Sequence, residues 1–167
     1  MIMDKNDLRA SCEQRLARLE LPHRFGTEQL REAVGALRGK PIILQPLPPD
    51  APADAPCGIR VETPTLDVLF AEKGTSPAHQ MHILAHEISH ILCDHPGSLS
   101  LGDGMIAALG FNPTLVQRMS GRTAYTTADE REAEYMATLI RQRVYRERLF
   151  PARRPTVADE RWDAIFA

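Results

Sequence analysis

The sequence predicts an α+β fold. A small, mostly antiparallel three-stranded sheet packs on one long apolar helix, and further helices flank the pair. Three observations lead there. Leu8, Cys12, Leu16 and Leu19, and again Leu30, Val34 and Leu37, recur at helical spacing. Three short apolar or alternating runs fall between positions 41 and 73. No Gly or Pro interrupts positions 78–94, where Ile83, Leu84, Ile88, Ile91 and Leu92 supply an apolar face.

The chain has 167 residues, 43% of them hydrophobic and 25% charged, enough to bury one core without disulfides. It reads as one domain, residues 1–167. Helices occupy 1–40, the sheet 41–73, a helical part 77–148 and a tail 149–167. A net charge of −2 excludes a bulk-basic nucleic-acid coat, so no direct nucleic-acid binding is expected. Cys12, Cys57 and Cys93 are odd in number and widely spaced, which points to a reducing compartment. The start is polar, and the longest apolar runs, such as Met105–Leu109, are five residues. No membrane contact is expected, and the location expected is cytoplasmic.

Taken in order, the first helix is capped by Asn6 or Asp7 and ended by Pro22. The second runs from Thr27, its N-cap, to Arg38, with Gly39 as its stop. The two read as a hairpin covering the sheet, since no basic second helix marks a DNA-binding pair. Lys40–Leu47 is a strand, followed by a stiff loop with five prolines from Pro46 to Pro56. Gly58–Thr63 and Leu66–Glu72 form a hairpin about Pro64-Thr65. Ser76-Pro77 opens the next helix, which runs to Cys93. Asn112-Pro113 starts a short helix to Met119, and Thr127 opens a long one to Arg148. The tail is expected to end in a helix around Trp162 and Phe166.

His86-Glu87-Ile88-Ser89-His90 is an H-E-x-x-H pattern. Residues four apart share a helix face, so His86 and His90 present two imidazoles to one metal ion, expected to be Zn2+. Glu87 is suited to take a proton from a water activated there. A catalytic zinc usually has three protein ligands. Asp94, His95, Asp103, Asp129, Glu130, Glu132 and Glu134 are the downstream candidates. Thr127-Ala128-Asp129-Glu130 reads as a capping box, which gives Glu130 a structural role. Asp129 is accounted for by the helix dipole. Glu132 lies about 60° from the centre of the buried stripe and Glu134 about 140°, facing solvent. An acid at the edge of a buried stripe needs compensation, so Glu132 is the expected third ligand.

These stretches resemble the ImmA/IrrE family of zinc metallopeptidases. The matching residues are His86 to His95 and Glu130-Arg131-Glu132-Ala133-Glu134-Tyr135-Met136-Ala137-Thr138-Leu139-Ile140. The likeness covers roughly residues 27 to 140. Ser89 stands where Gly is usual, Glu134 where Asp or Asn is usual and Met136 where Phe is usual. The resemblance implies a zincin-like fold and a zinc-dependent endopeptidase, a hydrolase acting on a protein partner. Such partners are often helix-turn-helix repressors encoded nearby. It too puts the third metal ligand on Glu132. In such a fold the substrate lies extended along a sheet edge, for which the strand 66–72 is the candidate.

Weaker signals surround this pattern. His82 and His95 are candidates to line the site, and Tyr125 and Arg122 to reach a reacting carbonyl. Cys93 reads as a buried free thiol. The Arg-rich stretch 141–154 reads as a solvated face. The competing function is a non-proteolytic, zinc-bearing regulatory or binding module, such as one partner of a toxin–antitoxin-like pair. The presence of Glu87 argues against it, because metal binding alone does not require that residue.

Overall fold

The computed structural model describes residues 4–49, 58–96, 103–116, 118–121 and 125–149. Part of the proline loop, Cys57, Arg122 and the tail helix expected around Trp162 and Phe166 lie outside them. Helices α1 (Lys5–Ala17) and α2 (Thr27–Arg38) come first, then strands β1 (Ile42–Pro46), β2 (Gly58–Glu62) and β3 (Asp67–Ala71). Helices α3 (Pro77–Leu92) and α4 (Asp103–Ala108), strand β4 (Arg118–Gly121) and helix α5 (Thr127–Leu149) follow. The class is α+β. No helix among the described residues is long and apolar enough to cross a membrane.

Local chemistry sets the boundaries. Asp4, not Asn6 or Asp7, caps α1 through its side chain. Gly26 precedes α2 where Thr27 was expected as the cap, and the Gln29 side chain accepts from the Gly26 amide at 2.9 Å. Gly39 ends α2 at φ 68°, a left-handed position that suits glycine. Ser76 caps α3, accepting from the His79 amide, with Pro77 at the first helical position.

The sheet departs from expectation in two ways. Among the described residues it has four strands in the order β1-β3-β2-β4, rather than three. The fourth is β4, in a region read as helix to Met119. Among the described residues there, Pro113–Leu115 is helical, as one 3-10 turn. The sheet is mostly antiparallel, as expected: β2 pairs antiparallel with both β3 and β4, and β1 pairs parallel with β3. Strand β3 therefore lies between β1 and β2, its backbone committed on both sides. It is not the free edge that the sequence suggested; among the described residues the edges are β1 and β4.

Two apolar clusters fill the sheet's faces. On one side Ile42 and Leu69 pack with Ala85, Ile88 and Ile91 of α3, with Leu8, Cys12 and Leu16 of α1, and with Met136, Ala137 and Ile140 of α5. On the other, Ile59, Val61, Val68 and Phe70 pack with Ile106 and Leu109. Strand alternation separates the sets, since successive side chains point to opposite faces. The α3 side also holds a buried ionic group. Arg60 reaches Asp67 Oδ1 at 3.2 Å and Glu62 Oε2 at 3.1 Å, and Lys40 Nζ reaches Glu62 Oε1 at 2.8 Å.

Candidate metal centre

Helix α3 carries the H-E-x-x-H residues on buried backbone between the sheet and α5. His86 and His90, one turn apart, bring their Nε2 atoms to 3.1 Å. The carboxylate facing them is that of Glu130, from the first turn of α5. Its oxygens lie 3.3 Å from His86 Nε2 and 3.6 Å from His90 Nε2. These three groups form one set of potential metal ligands.

Glu132, the ligand expected from the sequence, is not in this set. Its Oε2 lies 3.1 Å from His95 Nε2, and its Oε1 lies 3.7 Å from Arg15 Nε of α1. The capping role expected of Glu130 falls instead on Asp129, one residue earlier. Thr126, not Thr127, is the cap: its carbonyl accepts from the Glu130 amide and its Oγ1 from the Asp129 amide. Asp129 Oδ2 in turn accepts from the Thr126 amide at 3.1 Å. The reciprocal half of the box is thus Asp129, and Glu130 is left to face α3. The small buried residues Ala133 and Ala137 let α5 approach α3 along that face. Glu134, one turn beyond Glu130, was expected in solvent. It is about half exposed, yet its Oε2 reaches His86 Nδ1 at 3.2 Å.

The three groups fit a metal ion. Nitrogen and oxygen ligands about 2.0–2.1 Å from a tetrahedral ion lie about 3.3 Å apart, close to the spacings above. Glu130 Oε1 is buried and accepts no hydrogen bond among the described residues, the position of a group that awaits a cation. Burial, helped by His86, His95 and Arg60, pulls the His90 imidazole down to about 2, so the ring stays neutral and able to ligate. Each ring also has an outer partner on Nδ1: Glu134 for His86 and His95 for His90, the latter at 2.9 Å. Such partners orient ligating histidines.

Glu87 is buried, and its side chain packs against the start of β2. A methyl group on Gly58 would lie 2.7 Å from Glu87 Oε1, so only glycine leaves the carboxylate its room. Ser89 sits buried with its hydroxyl on the Ala85 carbonyl at 2.5 Å, so it adds no unsatisfied group. Tyr125 stacks on His90 with ring centroids 3.6 Å apart. His95 is buried beside His90. His82 stands outside the ligand set. Its Nδ1 meets Arg141 Nη1 at 3.1 Å and its Nε2 lies 3.7 Å from Glu134, and burial lowers its pKa.

Cys93 is a buried free thiol, and burial raises its pKa to about 12. It also joins His95 and Glu132 in a second group of potential ligands. The sequence reading weighed Glu130 and Glu134 as ligands but set them aside, one for a capping role and one as facing solvent. Their i, i+4 spacing was the available signal, but Thr126 and Thr127 both begin a plausible capping box. No family model matches the chain, and comparisons with curated proteins and with solved structures find no significant match.

Proposed function

We propose that this protein is a metal-dependent endopeptidase with a zincin-like fold. The observation that carries the reading is the convergence of His86 Nε2, His90 Nε2 and the Glu130 carboxylate on α3 and α5, with Glu87 adjacent in sequence but outside the ligand set. Two imidazoles and one carboxylate are a donor set of the catalytic zinc type, which leaves a fourth position open. A bound ion supplies acidification of water and polarisation of a carbonyl. Glu87 takes the proton of the attacking water and passes it to the leaving amine. Glu134 orients His86, and Tyr125 covers one face of His90.

The substrate is an extended segment of a protein partner. The candidate track is the outer edge of β4, because Gly121 pairs with Ile59, next to Gly58 and Glu87. The likeness of the two motifs to the ImmA/IrrE family supports a helix-turn-helix regulator encoded nearby as that partner. The free thiols Cys12 and Cys93 support a reducing, cytoplasmic setting.

The test is incubation of the zinc-loaded protein with DNA-binding regulators encoded beside it. Cleavage is expected with the natural protein. Glu87→Gln should retain one zinc and lose at least about 10²-fold in rate. Glu130→Ala should lose both zinc and cleavage. Near-normal cleavage by Glu87→Gln, or full zinc occupancy in Glu130→Ala, overturns the site as drawn.

A further inference from the structure

Behind His90 lies the second cluster, in which ligand atoms of Cys93, His95 and Glu132 all fall within 4.8 Å of one another. Taken alone it is a donor set for another metal ion. The positions of the ring protons argue otherwise. His90 Nδ1 and His95 Nδ1 are 2.9 Å apart, so one proton lies between two buried rings. When His90 Nε2 faces a cation, a neutral ring must carry its proton on Nδ1. That N–H donates to His95 Nδ1. His95 then holds its own proton on Nε2, 3.1 Å from Glu132 Oε2, which accepts it. A second ion on His95 Nε2 would displace that proton and leave the ring an imidazolate.

We infer that His95 and Glu132 are positioning residues that hold His90 in its Nδ1–H tautomer, turning a bare Nε2 toward Glu130 and His86. The chain continues to Arg15, whose Nε lies 3.7 Å from Glu132 Oε1, so α1 anchors the far end. The two histidines are thus oriented by different means. His86 meets a half-exposed carboxylate directly, whereas His90 meets one through a second buried ring. This assignment rests on the metal-centre reading above and gives Glu132 a role other than ligation.

The test uses the full chain, 15N-labelled and metal-free, with imidazole nitrogen shifts read by NMR. Zinc affinity is read by competition with a chelator, metal stoichiometry by elemental analysis and folding by circular dichroism. The natural protein should show His90 protonated on Nδ1 and should bind one zinc. Glu132→Ala should mix the two tautomers and weaken zinc binding about 10–100-fold at unchanged stoichiometry. Glu132→Gln keeps an acceptor oxygen and should restore most of both. His95→Phe keeps the buried volume, removes the relay and should match Glu132→Ala; it carries the test if the alanine variant does not fold.

The inference is overturned by unchanged zinc affinity in the folded variants, or by His90 carrying its proton on Nε2. It is equally overturned by two zinc ions in the natural protein with one lost in Glu132→Ala. If the natural protein takes up no zinc, the peptidase reading fails, while the tautomer of metal-free His90 still decides this point.

Discussion

A single hydrogen atom at Gly58 sets the room available to Glu87. Oε1, Cδ and Cγ of that side chain all lie within 2.8 Å of where a β-carbon would stand. No left-handed backbone demands glycine there; the requirement is contact with a buried carboxylate. Gly58→Ala should therefore push Glu87 off its position while leaving His86, His90 and Glu130 in place. A misplacement near 1 Å costs about 10²-fold in a positioned reaction. The expected outcome is a zinc-loaded, folded variant with that loss in cleavage rate, seen by elemental analysis beside a time course on the partner. A variant with normal cleavage would show that Glu87 has slack.

At the scale of elements, the sheet face on the α3 side carries an ionic group as well as apolar side chains. Arg60 is fully buried on β2, held by Asp67 of β3 and Glu62, and Lys40 closes the group from the loop before β1. Removing one member of a buried pair leaves the other charge uncompensated, which costs about 3–5 kcal/mol. Asp67→Ala should lose that much in denaturant unfolding. A loss below about 1 kcal/mol would mean that Glu62 alone suffices for Arg60. The alternation that directs Arg60, Glu62 and Asp67 to one face is visible in the sequence, but their burial is not. Charged residues in a short strand usually mark a solvated face, and only the packing of α3 over this one reverses that.

Across the whole molecule, the fully buried His90 makes stability depend on pH. His90 has its pKa lowered from 6.5 to about 2, chiefly by burial and then by His86, His95 and Arg60. Between those values the unfolded chain binds a proton that the folded chain refuses. The contribution is therefore whole above about pH 6.5 and shrinks as pH falls, by about 1.4 kcal/mol per pH unit for this one group. Denaturant midpoints of the metal-free protein should drop from about pH 7 to about pH 5, and His90→Gln should flatten the slope by about one proton. An unchanged slope would place the linkage on other groups.

The sequence by itself determined the local features. Helical spacing and the Ser76-Pro77 start place His86 and His90 on one turn of α3, and Gly39 and the Pro64-Thr65 hairpin mark where segments end and fold back. These depend on near neighbours, which a linear reading contains. Only the tertiary structure decided which carboxylate faces the histidines. Thr126 and Thr127 offer caps one residue apart; with Thr126 as the cap, Asp129 closes the box and Glu130 is left to face the histidines, while Glu132, on the other flank of the buried stripe, meets His95 and Arg15. It also decided the parallel docking of β1 on β3 and the existence of β4, hence which strands lie at the edges among the described residues. Pairing partners distant in sequence are chosen by the burial of both faces, a property of the assembled layers rather than of any one segment.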